Sequence, residues 1–144
     1  MARMDDGHST TIEFASEDSA GLKMYEKEVS PPGIEGGGPN DTTTMRNSVY
    51  RTFAPKKLIT LTDCTLKVSY DAAIEPQLIE LVNENNLITI TYPDGATLAF
   101  WGWLNSFIPD PLIEGAQPEA TITIHPSNQN ASLVETAPEF TDPV

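Results

Sequence analysis

The sequence predicts a mainly β chain: an antiparallel β-sandwich or barrel with one packed α-helix at about residues 75–84. Three observations predict it. Short runs of alternating apolar and polar residues recur along the chain, the period-two signature of half-buried strands. Only one segment carries helical spacing. Twelve prolines and nine glycines in 144 residues punctuate the runs, as expected for strands joined by turns.

Taken in order, residues 1–8 read as a mobile arm, with Asp5 and Asp6 in it. Residues 10–15 read as a strand with Ile12 and Phe14 on one face, punctuated near Gly21. Residues 22–29, LKMYEKEV, read as a second strand. Neither of its faces is clearly apolar, which suits a sheet with a wet face. Residues 30–47, SPPGIEGGGPNDTTTMRN, have no periodicity and read as a long loop. Loops of that length inside a domain are uncommon and tend to be functional. Ordering one costs on the order of 1–2 kcal/mol per residue, and Ile34 and Met45 give this one apolar anchors.

Residues 48–53 read as a strand and 57–70 as another. Ile59 and Leu61 are out of phase with Cys64, Leu66, Val68 and Tyr70, which predicts a bulge or a break near Thr62-Asp63. In the helix, Ile74, Leu78, Leu81, Val82 and Asn85 share a face. Pro76 is tolerated only in the first turn, so the helix should start near Ile74 or Glu75. Residues 109–118 read as loop and 120–125 as a last strand. The body is thus one domain, 9–126, and residues 127–144 an acidic, flexible tail.

Residues 87–107, LITITYPDGATLAFWGWLNSF, form the clearest element: a β-hairpin around Pro93-Asp94-Gly95. Proline sets φ, aspartate bonds back to the backbone, and glycine tolerates positive φ. Leu98, Phe100 and Leu104 share one face and suit the core. Trp101 and Trp103 then form a ridge on the other. Each tryptophan can bury roughly 200 Å², worth up to ~5 kcal/mol at ~25 cal/mol per Å². Either both faces are covered within one sandwich, or the ridge is a subunit interface, since large apolar patches mark contact sites.

The net charge is −13. All eight Lys and Arg precede Val68, alongside ten acids; from Val68 onward there are eleven acids and no base, so the two parts carry −2 and −11. Direct affinity for nucleic acid needs clustered cations and is disfavoured. No apolar run approaches the ~18 residues of a transmembrane helix, and the first residues lack the apolar segment of a secretory signal. The sole cysteine, Cys64, cannot form an internal disulfide and reads as a buried small hydrophobe. Asn40-Asp41-Thr42 and Asn130-Ala131-Ser132 match the glycosylation pattern but mean little without a secretory route.

Catalytic chemistry finds little support. His8 lies in the arm and His125 at a strand end; only a Cys64–His125 pair is conceivable. No CxxC, HExxH, P-loop or EF-hand spacing occurs, and Gly36-Gly37-Gly38 is not followed by Lys-Ser or Lys-Thr. Asp110 and Glu114 are loop carboxylates of the kind usually just solvated. No cofactor, metal or enzymatic activity is predicted.

An ordered series of segments carries a resemblance. PPGIEGGGPNDTTTM (31–45), VYRTFAPKKL (49–58), a strand ending in SYD, the short helix, TYPDG, AFWGWL and EGAQPEATITI together resemble the major tail tube proteins of long-tailed, siphovirus-type bacteriophages, over about residues 29–128. No single motif is diagnostic; the series is more specific. The resemblance implies a virion structural protein, assembled in the host cytoplasm. Its subunits form hexameric rings that stack into a tube around a tape-measure protein. Terminator and distal tail proteins cap the ends, and genomic DNA passes through without specific binding or membrane insertion. Under this reading Glu13, Glu26 and Glu28 are candidates to line the lumen. Trp101, Trp103, Pro31, Ile34, Met45, Asp5 and Asp6 are candidates for subunit interfaces. Two rival readings remain: a carbohydrate-binding or adhesion β-sandwich using its aromatic strand face, and a terminator or connector that forms one ring and stops.

Overall fold

Residues 9–15, 25–70 and 75–142 are described by the structure, a computed structural model of the chain. The elements in order are β1 (Thr11–Ala15), β2 (Glu26–Ser30), β3 (Ile34–Gly36), β4 (Pro39–Asp41), β5 (Phe53–Pro55), β6 (Ile59–Leu61), β7 (Cys64–Ser69), α1 (Glu75–Leu81), β8 (Asn86–Thr91), β9 (Thr97–Pro109), β10 (Glu119–Pro126) and β11 (Glu139–Thr141). The fold is mainly β and antiparallel with one helix. The expected arm at residues 1–8, the punctuation at Gly21 and a helix start at Ile74 lie outside the described residues, as do Leu22, Lys23 and Met24 of the expected second strand.

Seven strands form one sheet in the order β1-β8-β9-β10-β7-β2, with β11 following β10 along the same edge of β9. The sheet curls until its outermost strands approach each other, and the Glu26 carboxylate accepts the Ile12 N–H at 3.3 Å across the seam. Alternation dictates the inner face. Ile12 and Phe14, Ile88 and Ile90, Phe100 and Leu104, Ile122 and Ile124, and Cys64, Leu66 and Val68 are all buried there. Each such side chain contributes roughly 1.5–3 kcal/mol over leaving it in water. Leu78 and Leu81 of α1 complete the same core.

The hairpin turn is built as its residues demand. Gly95 sits at φ 93°, its N–H donates to the Tyr92 carbonyl, and the Ala96 N–H donates to Asp94 Oδ1. β9 and β10 run in register until a bulge between Thr123 and Ile124, where Asn105 is the extra residue. The bulge shifts the phase of β9, so that Phe107 turns inward opposite Ile122 and Ser106 turns outward.

Of the bulge or break expected near Thr62-Asp63, the structure has the break, between two strands, β6 and β7. Other boundaries differ from the sequence reading. The helix ends at Leu81, three residues short of Glu84, because Val82 bridges to Leu104 and the Asn83 N–H donates to the Leu104 carbonyl. Asn83 then turns the chain at φ 63°. Of the strand expected over 48–53, only Phe53 is in a strand; Asn47 instead bonds Thr44 and the Tyr50 carbonyl to hold a turn. The stretch after Pro126 is not simply a tail: β11 pairs with β9, and the Phe140 ring lies 6.1 Å from that of Tyr92.

The expected loop over 30–47 contains β3 and β4, which pair with β6 and β5. Residues 33–62 thus form one irregular antiparallel arm. Its base is closed by the Thr62 N–H on the Gly33 carbonyl and the Gly33 N–H on Thr62 Oγ1, and its far end by the Thr42 N–H on the Thr52 carbonyl. Neither ribbon of the arm joins the main sheet.

Candidate functional site

The outer face of the sheet follows from the same alternation that buries the inner one. Two rows of hydroxyls cross it. Thr11, Thr91, Thr97 and Thr141 stand in register across β1, β8, β9 and β11. Ser106, Thr123, Thr65 and Ser30 do the same across β9, β10, β7 and β2. Alternation within each strand turns these hydroxyls outward, and the register aligns them.

Charges on this face are mostly acidic or neutralised. Glu13 is exposed opposite Thr89, with Ala99 and Glu139 continuing its row. Glu28 is exposed opposite Lys67. Glu26 is half-buried at the β1–β2 seam, where it serves Ile12. Both lysines of the sheet have carboxylate partners. Lys27 Nζ donates to Glu119 Oε1 at 3.0 Å, and Lys67 Nζ lies 4.0 Å from Asp110 Oδ2. The hydrogen bond from Lys27, and then its charge, hold the Glu119 carboxyl below its ordinary value of 4.5. A phosphate approaching the sheet would therefore compete with carboxylates for each lysine.

Trp101 and Trp103 do lie on this face, opposite the core residues Phe100 and Leu104, but both are half-buried. The Trp103 ring stacks on His125 with centroids 4.8 Å apart and planes 7° from parallel. His125 Nδ1 lies 2.8 Å from the Pro126 carbonyl, and Nε2 lies 3.9 Å from Asp63. His125 thus projects outward while Cys64, whose strand pairs with β10 at Ile124, projects into the core. The Cys64–His125 pair is not brought together. Burial also pushes the Cys64 thiol up to about 12, leaving it un-ionised and a poor nucleophile. Among the described residues no group of three or more His, Cys, Asp or Glu is placed to hold a metal. No helix of the described residues is long and apolar enough to cross a membrane.

Apolar exposure is concentrated elsewhere. The arm carries seven large exposed hydrophobic side chains: Ile34, Met45, Val49, Tyr50, Phe53, Leu58 and Ile59. Pro31, at the approach to the arm, is exposed as well. Three more, Ile108, Leu112 and Ile113, lie at the end of β9 and in the loop that follows. Two of these residues, Ile34 and Met45, are among those the sequence nominated. Val49, Tyr50, Leu112 and Ile113 were not, although an apolar pair inside a Pro/Gly-rich segment is the signal that marks Leu112-Ile113. Asp5 and Asp6 lie outside the described residues.

No protein-family model matches the chain, and no curated relative does. Solved structures match over nearly its whole length. A chain in the virion of a native gene transfer agent particle aligns with a TM-score of 0.65 and 11% identity, over 96% of this chain and 100% of that one. A chain in the tail of an empty gene transfer agent particle, refined with C6 symmetry, gives 0.64 and 10%, over 96% and 100%. A chain in the six-fold symmetrised baseplate of the anti-feeding prophage gives 0.62 and 8%, over 97% of each. This chain therefore has the fold of components of phage-type tails and baseplates.

Proposed function

We propose that the chain is a structural subunit of a phage-type tail, assembling as hexameric rings that stack into a tube through which DNA is delivered. The observation that carries this reading is the full-length match to chains of a C6-symmetric tail and a six-fold baseplate. Six copies related by rotation repeat one heterologous contact until it closes, and stacking repeats a second contact that never closes. The role is mechanical, with no catalytic step. The tape-measure protein would occupy the lumen before ejection, and terminator and distal tail proteins would hold the two ends.

The outer sheet face suits a conduit. Its hydroxyl rows are neutral, its lysines are held by Glu119 and Asp110, and Glu13 and Glu28 are exposed on it. Carboxylates there repel DNA over about a Debye length, ~8 Å at physiological salt. Glu26, committed to the β1–β2 seam, contributes closure of the subunit more than repulsion. The half-buried Trp101–Trp103 ridge, next to the rows, is a candidate seam between neighbours. Trp101→Ala should impair assembly more than folding; a variant that polymerises like wild type removes the ridge from the interface.

Negative-stain microscopy of the purified protein tests the proposal. Long tubes about one subunit ring wide are expected. Single rings that never stack favour a terminator or connector, a reading the baseplate match also supports. Small monodisperse particles with measurable glycan affinity favour the adhesion module, which the stacking of His125 on Trp103 makes less apt by covering one indole face.

A further inference from the structure

The imidazole of His125 stands where three segments meet. β10 pairs with β9 so that His125 lies opposite Trp103, and the two rings stack with centroids 4.8 Å apart and planes 7° from parallel. On its other side β10 pairs with β7 up to Ile124 and Cys64, and the residue before Cys64 lies beside the ring: His125 Nε2 is 3.9 Å from Asp63 Oδ1. Asp63 follows Thr62, whose N–H and hydroxyl close the base of the arm on Gly33. The third contact is with the ring's own strand, Nδ1 lying 2.8 Å from the Pro126 carbonyl oxygen.

These contacts treat the two protonation states of the ring differently. A carbonyl oxygen only accepts, so the Pro126 contact is a hydrogen bond when Nδ1 carries the hydrogen. In the neutral ring Nε2 is then a bare lone pair, and it faces a carboxylate that also accepts. A second proton changes two contacts at once. Nε2 becomes a donor to Asp63, and a charge-assisted bond there closes to about 2.7–2.9 Å. The ring also becomes a cation lying over the indole, inside the ~6 Å at which cation–π attraction acts. The Pro126 bond is kept in both states.

Among the described residues Asp63 is the one carboxylate paired with the ring. Lys67 on β7 is turned to Asp110, and Glu119 on β10 to Lys27. Glu139 on β11 stands opposite Ala99, four residues along β9 from Trp103. Glu84 and Glu135 lie in the connections before β8 and after β10. The side chains of His125 and Asp63 are 51% and 52% exposed, so protons reach them without unfolding.

We propose that His125 is a proton-operated clasp between the sheet and the arm. Charged, the ring ties Asp63 at the arm's base to Trp103 on β9; neutral, it stays on Trp103 and releases Asp63. Imidazole is the side chain that changes charge between about pH 5 and 8, so the clasp closes in mild acid and opens in mild alkali. The proposal stands on the geometry of a single subunit and holds whether or not the chain builds a tube. In the tail reading, it makes the seating of the arm on its sheet depend on pH.

The test is a titration of the full-length protein across that range, followed by tryptophan fluorescence in wild type and in Trp101→Phe, which leaves Trp103 as the sole indole. Charging the stacked ring should quench the indole, so emission falls in one step on acidification. Asp63→Asn should move the midpoint to lower pH by about 0.1–0.7 of a unit, the range expected of an exposed ion pair. His125→Gln should abolish the step and His8→Gln should leave it. Hydrogen exchange at the Thr62 N–H, corrected for its intrinsic pH dependence, should slow on the acid side of the step in wild type and not in Asp63→Asn. The proposal is overturned by the absence of a step, by a step that survives His125→Gln or disappears with His8→Gln, by an Asp63→Asn midpoint equal to that of wild type, or by Thr62 exchange indifferent to the step. Each of these leaves the tail reading standing, since none of them measures assembly.

Discussion

Replacing Gly102 with alanine places a methyl group where the structure has none to spare. An ideal Cβ there would lie 2.6 Å from the His125 carbonyl oxygen and 3.2 Å from Pro126 Cα, well inside the ~3.5 Å at which such contacts become favourable. Both obstacles are backbone, so no side chain can swing aside. β9 and β10 would have to separate at the point where Gly102 stands opposite Pro126, next to the Trp103–His125 stack. Overpacking of this kind costs about 1–3 kcal/mol. For a chain of this size that is a fall in Tm of about 2–12 °C, at ~2–4 °C per kcal/mol. Thermal and urea melts followed by tryptophan fluorescence measure it, and the native-state emission should change as the stack is disturbed. Gly36→Ala is the control: its Cβ would meet nothing within 4 Å, and its effect should stay within about 0.5 kcal/mol. A Gly102→Ala protein that melts with wild type, or a Gly36→Ala protein that loses as much, refutes the close-approach argument.

Three further outcomes follow from local geometry. Gly95→Ala, at φ 93° in the hairpin turn, should cost roughly 1–2 kcal/mol, read as a lower urea midpoint; an unchanged midpoint would mean the turn relaxes. Cys64 should react with a thiol reagent at mildly alkaline pH only as fast as the protein unfolds, because the thiol is buried and its pKa is raised from 9.0 to about 12; the favoured neutral thiol stabilises the fold in full below 9 and progressively less as pH climbs toward 12. Prompt labelling of the native state would contradict that burial. Lys27→Met should flatten the acid limb of stability. Glu119 has a lowered folded pKa, so its contribution is present above 4.5 and is lost as pH falls through the lowered value. The Tm curves of variant and wild type should converge on acidification, and parallel curves would show the ion pair to be inert.

What the sequence made legible and what it hid divide on burial. The 87–107 hairpin could be read residue by residue as far as Leu104 because one of its faces is core, so its period of two is enforced at Ile88, Ile90, Phe100 and Leu104; the bulge at Asn105, set by pairing with β10, was not legible. The helix was legible for the same reason at Leu78 and Leu81, and its early end was not, since a bond from Asn83 to a carbonyl of β9 decides it. The arm hides its strands because β3 and β4 are exposed on both faces and their partners lie 12–27 residues away, from Asp41↔Phe53 to Ile34↔Leu61. β11 is three residues long and depends on β9 for its ladder and on Tyr92 for the packing of Phe140. Local pattern carries no trace of either contact.

The same distinction relocates the surface most in need of a partner. A tryptophan pair on the far side of a strand looks, in one dimension, like the chain's largest apolar surplus. In three dimensions the neighbouring strands half-cover it, and His125 lies flat against Trp103. The arm has no such neighbours: ribbons that join no sheet cannot shield Met45, Tyr50 or Leu58. Charge follows the same division. The cations that sit in the first half of the sequence are, for four of eight, on the arm, leaving −15 on the rest of a −13 chain. A lone subunit gains nothing from leaving an apolar, cationic arm uncovered, whereas a polymer of identical subunits, as proposed above, can cover it with a repeated contact. On the tail-subunit proposal, trimming the arm to a short turn between Gly33 and Thr62 should leave the sheet folded and abolish polymerisation. A trimmed chain that still forms tubes would move the assembly contacts back to the sheet face and its tryptophans.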